Sequence, residues 1–297
     1  MILIIKLNAT GDVVRTTTLL RQFECDVTWV TSAPNHELLG ESDNIRCVEF
    51  TRSELALDRH YDLVINLEDD LPPAQFARQV QHTRLFGAYL DETGSVAYSE
   101  DSRQWFDLSL ISVYGRQRAD ALKLLNRRTY QELVFEGLDL TFSGERYVLP
   151  QPALTRLAGD VAIAPVAGPV WPMKGWAYYD QLKAELEATG LRVNVLPRRN
   201  SLLEHMGDVS NHRCLVGGDS LPMHFALGTR TPCVTLFNCT SPWEIYDYGL
   251  QTKLVSPLLE RFFYKRGFDT AATTAIRLED VFDAVMERLK TPAAIAR

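Results

Sequence analysis

A chain of 297 residues has room for two domains of roughly 100–200 residues each, and its 46% hydrophobic content supports a large buried core rather than a disordered polymer. A net charge of −7 argues against a sequence-independent nucleic-acid binder, which needs an excess of Lys and Arg over the phosphates it meets. The apolar opening, residues 1–6, is too short for a signal peptide or a membrane span, and no later run reaches membrane length; the expectation is a cytoplasmic protein, with peripheral contact at the inner-membrane face left open.

In chain order, residues 2–7 form an apolar run broken only by Lys6, suited to a buried parallel strand. Residues 13–23 have helical spacing. Strands are predicted over 26–30, 45–50, 61–67 and 85–90, and helices over 72–81 and 119–133. The alternation then repeats, with strands over 161–165, 192–196, 213–216, 233–237 and 253–255. Helices are predicted over 177–189 and 202–209, from Ser220 onward, over 242–248, and over 278–289. Repeated β–α alternation implies parallel sheets covered on both faces. Two prolines, Pro150 and Pro152, interrupt the pattern and suggest a boundary within 146–155. The expected architecture is α/β, with an N-terminal domain over 1–150 and a C-terminal domain over 151–297. Two open α/β sheets facing each other would hold a cleft between their strand carboxyl ends, where such sheets bind ligands.

The most informative segment is Gly217-Gly218-Asp219-Ser220-Leu221-Pro222-Met223-His224-Phe225-Ala226, where a short apolar strand runs into two glycines, an acid, a hydroxyl and an apolar helix. Unpaired backbone N–H groups and the positive end of the helix dipole favour an anion there. Asp219 alone reads equally as an N-cap, and His224 alone as a satisfied core histidine. Their spacing places His224 about one turn along the helix, within reach of a ligand at its tip. A sugar joined to a diphosphate combines hydroxyls with negative charge and suits both groups.

Three further segments carry candidate chemistry. Gly11-Asp12-Val13-Val14-Arg15-Thr16 follows the first strand but has one glycine, so a dinucleotide fingerprint is weak. Asp12 at this turn suits a general base, or simply a helix N-cap. Lys174-Gly175-Trp176 is expected to open the helix over 177–189, where a lysine opposes the dipole unless an anion is bound. Trp176 is expected to pack in the core. Thr240 and Ser241 sit beyond the strand over 233–237, with Pro242 as a first helical residue. Five cysteines (25, 47, 214, 233 and 239) lack C-x-x-C spacing, and no zinc-type cluster, P-loop or G-x-S-x-G occurs. Asp69-Asp70 reads as a solvated turn.

Taken in order, these segments resemble the family 9 glycosyltransferases, the bacterial heptosyltransferases of lipopolysaccharide core assembly. Gly11-Asp12-Val13 resembles the opening Gly-Asp-Val, and Lys174-Gly175-Trp176 the Lys-x-Trp. Asp219-Ser220 through His224-Phe225-Ala226 is similar to Asp-Ser/Thr-Gly-x-x-His-x-Ala. Thr231-Pro232 through Leu236-Phe237, with Thr240-Ser241-Pro242, is similar to Thr-Pro-x-Val-x-Leu-Phe-Gly-x-Thr-x-Pro. The departures are Leu221 and Pro222 after Asp-Ser, Asn238 in place of a glycine, and residues 168–173 before Lys174, where relatives supply threonines or an arginine.

The resemblance implies a GT-B fold: two Rossmann-like domains, the first receiving the acceptor and the second binding the nucleotide sugar, with the terminal helix able to pack back towards the first. It implies inverting transfer of a heptose from ADP-heptose to a lipopolysaccharide-core or related glycan or glycolipid, with no metal and no cofactor beyond the donor substrate. Carried over by position, Asp12 would be the general base and Lys174 would neutralise the leaving diphosphate. Asp219 would hold sugar hydroxyls, and Ser220 and His224 the phosphates, beside Thr240 and Ser241. Lys6 and Arg15 would meet an anionic acceptor. Two other readings stay open: a GT-B enzyme with a different donor or acceptor, and a non-catalytic sugar-nucleotide-binding relative.

Overall fold

The computed structural model describes residues 1–40, 44–166, 168 and 170–290. The chain divides into two compact units, Met1–Pro150 and Gln151–Arg297.

In the first unit, β1 (Ile2–Ile5), β2 (Val27–Thr31), β3 (Ile45–Glu49), β4 (His60–Asn66), β5 (Gln81–Leu90) and β6 (Val96–Tyr98) form one sheet in the order β3-β2-β1-β4-β5-β6. All neighbours are parallel except β5 and β6. The period of two in β1 divides its side chains between two cores. Ile2 and Ile4 pack with Trp29, Ile65, Phe86 and Val134, while Leu3 and Ile5 pack with Val30, Val64, Phe76 and Ala77. Burial on both faces explains why the strand is apolar throughout.

The helices of this unit are α1 (Thr10–Thr16), α2 (His36–Leu39), α3 (Leu71–Gln79), α4 (Arg103–Phe106), α5 (Arg116–Leu125) and α6 (Tyr130–Gly137). The helical stretch predicted over 13–23 starts earlier and tightens into a 3-10 turn over Thr17–Arg21. The single helix predicted over 119–133 is two helices. Thr129 breaks it by capping α6: its hydroxyl accepts from the Glu132 amide while the Glu132 carboxylate accepts from the Thr129 amide, a reciprocal box that apolar spacing does not reveal. The short antiparallel β6 was not predicted either. It returns through a turn in which the Asp91 carboxylate accepts from the amides of Thr93 and Ser95.

In the second unit, β7 (Gly159–Ala164), β8 (Val193–Val195), β9 (His212–Gly218), β10 (Cys233–Phe237) and β11 (Gln251–Val255) form an all-parallel sheet in the order β11-β10-β9-β7-β8. Its helices are α7 (Tyr179–Ala188), α8 (Leu202–Ser210), α9 (Leu221–Thr229), α10 (Leu259–Phe262), α11 (Thr270–Thr274) and α12 (Leu278–Lys290). One face of the sheet (Val161, Ile163, Cys214, Val216, Val234, Leu236) is covered by Trp176, Leu182 and Leu186 and by Val281 and Val285 of α12, so α12 packs on the sheet of its own unit. The helix predicted over 242–248 is absent, and that stretch is a series of turns. Among the described residues, no helix is long and apolar enough to cross a membrane.

Each sheet reverses its strand order once: between β1 and β4 in the first unit, and between β7 and β9 in the second. Ligands of open α/β sheets bind beyond the carboxyl ends of the strands at such reversals. The geometry of the first one rests on Gly87 of β5, which has φ +103°, and a Cβ built there would lie 1.9 Å from the Asn66 carbonyl oxygen of β4. Gly94 has φ +84° but open space around it. Gly87→Ala is therefore expected to cost about 3 kcal/mol or more of unfolding free energy, and Gly94→Ala only about 1–2 kcal/mol for its backbone conformation. Urea denaturation of the two variants checks the difference; equal losses would show that the β4–β5 contact is not tight.

Candidate active site

The sequence candidates gather at the two strand-order reversals. In the first unit, the Glu68 carboxylate beyond β4 accepts hydrogen bonds from Lys6 Nζ at 2.6 Å, from the Leu7 amide at 2.8 Å and from the Asn8 amide at 3.2 Å. Glu68 is itself oriented by Asn66, whose side-chain oxygen accepts from the Glu68 amide while its nitrogen donates to the Ala88 carbonyl. Lys6 and Glu68 are both buried. Burial works to lower the Lys6 pKa, but the negative charges of Glu68 and Asp12, helped by Tyr130, leave it raised, so the side chain stays cationic.

This clamp fixes the turn that launches α1. Its N-cap is Ala9, in a left-handed conformation (φ 53°) rare for a residue with a Cβ. Asp12 is the third helical residue, so the N-cap reading does not apply to it. Its carboxylate is partly exposed and lies 3.0 Å from the Arg15 guanidinium. Arg15 is buried and lies over the Tyr130 ring, 4.0 Å from its centroid, with Trp105 at 5.5 Å. The Tyr130 hydroxyl shares a hydrogen bond with Thr16 at 2.6 Å. Asp69 is half-buried, unlike a solvated turn. Burial raises its pKa, and the charges of Asp70 and Glu68 add to that against the opposing effect of Lys6.

In the second unit, β9 runs straight through both glycines. Gly217 and Gly218 are strand residues in a tight place rather than turn residues, because a Cβ on Gly218 would lie 2.8 Å from the Lys174 carbonyl oxygen. That approach seats Lys174 against the end of β9. Its Nζ lies 3.1 Å from Asp219 Oδ2 and donates to the Asp219 carbonyl at 2.8 Å. Lys174 ends a 3-10 turn over Pro172–Lys174, and α7 starts only at Tyr179, so the lysine does not oppose the dipole of that helix as expected. Of the preceding loop, residues 167 and 169 lie outside the described residues. Trp176 is buried in the core and donates to the Ile276 carbonyl at 2.9 Å, which anchors the same turn.

Ser220, not Asp219, is the N-cap of α9, and its hydroxyl donates to the Gly218 carbonyl rather than capping the helix. Pro222 removes one amide from the helix tip, and the Met223 amide is taken by the Ser220 carbonyl. His224 is buried one turn along. Burial alone would raise the Asp219 pKa, but Lys174 and His224, aided by Thr240, outweigh it and hold the carboxyl at about 2. The Thr240 and Ser241 side chains are buried, and their hydroxyls lack a hydrogen-bond partner among the described residues. Buried hydroxyls are nearly always satisfied, so this pair points to something that binds there.

Three residues of this region were not assigned a role from the sequence. Asn238, visible only as a departure from glycine, donates to the Gly175 carbonyl at 2.8 Å and ties the end of β10 to the Lys174 turn. Lys253 of β11 donates to the carbonyls of Pro242 and Ile245 and holds the segment after Ser241. Burial lowers its pKa. Glu68 lies 62 residues from its partner Lys6, and the only sequence signal is a charge placed just beyond each of two apolar strands.

The two sheets define a GT-B protein, built from two Rossmann-like domains. Similar solved structures are an E. coli heptosyltransferase, WaaC, with ADP (16% identity over 97% of this chain and 99% of that one, TM-score 0.63) and a glycosyl transferase family 9 protein from Veillonella parvula (15%, 97% of each chain, TM-score 0.63). The E. coli ADP-heptose lps heptosyltransferase II is also similar (16%, 97% and 98%, TM-score 0.62). No curated protein matches the chain. The model of Glycosyltransferase family 9 (heptosyltransferase) matches residues 170–261, the segment that carries Lys174, Asp219, Ser220, His224, Thr240 and Ser241. The resemblance to glycosyltransferase family 9 therefore holds, and with it the class of enzyme, a glycosyltransferase.

The depressed pKa of Asp219 has a sign that can be tested. A carboxyl lowered from an ordinary 3.8 to about 2 in the folded state adds stability above pH 3.8 that is lost as pH falls towards 2. The unfolding free energy of the native protein relative to Asp219→Asn is expected to shrink by about 2 kcal/mol between pH 5 and pH 2. Urea titrations of both proteins across that range measure it, and a difference independent of pH would mean that the carboxylate is not held ionised by its neighbours.

Proposed function

We propose that this protein is an inverting, metal-independent glycosyltransferase that moves a heptose from ADP-heptose to a lipopolysaccharide-core or related glycan acceptor, in the cytoplasm at the inner-membrane face. The observation that carries the donor side is the Lys174–Asp219–His224 cluster beside the unpartnered Thr240 and Ser241 hydroxyls, at the strand reversal of the second unit. The second domain, 151–297, takes the nucleotide sugar. Asp219 accepts hydrogen bonds from sugar hydroxyls. Lys174 and His224, with the Ser220, Thr240 and Ser241 hydroxyls, meet the diphosphate. A cation already fixed in a buried pair stabilises charge on a departing ADP without reorganising during the reaction.

The first domain, 1–150, receives the acceptor. Asp12 takes the proton from the acceptor hydroxyl as that oxygen forms its bond to the anomeric carbon. The bond from the anomeric carbon to the diphosphate breaks on the opposite side, and ADP leaves with the electron pair. Lys6 and Arg15 are buried, so their part is to set the positive potential around Asp12 and an anionic acceptor rather than to offer exposed contacts. Similarity to WaaC with ADP and to an ADP-heptose heptosyltransferase favours adenine in the donor.

The test is incubation with ADP-heptose and a heptose-accepting core glycolipid in the presence of a chelator, read by mass spectrometry and ADP release. Asp12→Asn is expected to lower transfer by roughly 10²–10⁴-fold, while calorimetric ADP binding stays within about twofold of the native value. Native activity in Asp12→Asn would remove the base role. Absence of both heptose addition and ADP release in the native protein would overturn the donor assignment.

A further inference from the structure

The stretch from Leu110 to Arg128 takes no part in either charged cluster, and its composition is unlike the rest of the surface. Leu110, Val113, Tyr114 and Leu125 are exposed at 59%, 72%, 49% and 69%, close together in a chain whose large apolar side chains are mostly buried. Of the ten residues of α5, only Ala119 is buried. The helix turns Ala121 and Leu125 outward with Gln117 and Arg118, so the face away from the domain is apolar with cations at its margins. The same stretch holds five cations (Arg116, Arg118, Lys123, Arg127 and Arg128) and one acid, Asp120, on a chain of net charge −7.

Few of these charges are consumed internally. Arg128 pairs with Glu136, and Arg116 reaches Asp120 at 3.8 Å. Lys123 lies over Trp105 at 5.6 Å, and Arg118 has no ion pair or hydrogen bond among the described residues. Exposed aliphatic side chains among uncommitted cations, on a helix with little packing of its own, are the features of a segment that lies in a lipid–water interface. A soluble acidic partner would account for the cations but not for the exposed leucines and valine. An uncharged apolar partner would account for the reverse. Anionic phospholipid accounts for both.

We propose that the Leu110–Arg128 stretch, with α5 at its centre, docks on an anionic phospholipid surface. Leu110, Val113 and Leu125 enter the interfacial layer while Arg116 and Arg118 meet lipid phosphates. The benefit of such docking rests on the glycolipid-acceptor reading, since it would bring the acceptor domain to its substrate. The binding itself needs neither donor nor acceptor and is measured without them.

The experiment is co-sedimentation of the full-length protein with vesicles of equal parts phosphatidylethanolamine and phosphatidylglycerol, against pure phosphatidylcholine. The native protein is expected to bind the anionic vesicles, to be released by salt, and to bind phosphatidylcholine at least tenfold more weakly, by roughly fivefold per cation. Arg116→Gln with Arg118→Gln is expected to weaken binding roughly 25-fold. Leu110→Ser with Val113→Ser and Leu125→Ser is expected to weaken it roughly tenfold or more. These positions are exposed, and unchanged circular dichroism and ADP affinity confirm that the variants are folded. Failure of the native protein to bind, or native-like binding by both variants, would overturn the proposal. So would a native dimer in gel filtration that the apolar triple variant converts to monomer, which would assign the patch to a second copy of the chain. Loss of ADP binding in every protein, with vesicle binding intact, would count against the donor reading alone.

Discussion

The second domain is organised around one buried ion pair. Lys174 and Asp219 come from the loops after two different strands, β7 and β9, and each is largely shielded from water. Removing one member of such a pair leaves the other charge buried without compensation, at a cost of roughly 3–5 kcal/mol. The backbone around them is correspondingly constrained. Gly218 has no side chain to hold the Lys174 turn away, Asn238 ties that turn to the end of β10, and Trp176 roots it in the core. The anion-binding cation is thus placed by strand register and by the absence of a single methyl group.

The first domain solves a similar problem with other residues. Lys6 and Glu68 meet across the reversal between β1 and β4, and the Glu68 carboxylate also takes two backbone amides from the turn leading to α1. Asp12 is presented from that turn with Arg15 beside it, while the more deeply buried charges keep to structural work. The two sheets have different strand orders, yet each places its charged cluster beyond the strands that flank its own reversal. The reason is geometric: helices leave in opposite directions there, and the gap between them exposes backbone and side chains that would elsewhere be covered.

Charge is distributed unevenly over the first domain. Cations that enter β1 or α1 are buried and matched, whereas those around α5 remain in solvent beside unburied aliphatic groups. A helix that buries only one alanine gains little from packing against its own domain.

Much of this architecture was legible in the linear sequence. Short apolar β-branched runs alternating with amphipathic stretches marked most of the strands and the long helices, because backbone periodicity and two-sided burial are local properties. Order and spacing also marked Asp12, Lys174, Asp219, Ser220 and His224 as chemically interesting. Several elements escaped because their cause is not periodic: the capping box at Thr129 divided one predicted helix into two, and the residues after Pro242 formed turns that Lys253 holds through carbonyls. Which charges would meet was decided only by the tertiary structure. Lys6 pairs with Glu68 across 62 positions and Lys174 with Asp219 across 45, and both pairings follow from strand register. An ion pair is a property of distance and burial, and a sequence states neither until the sheets have formed.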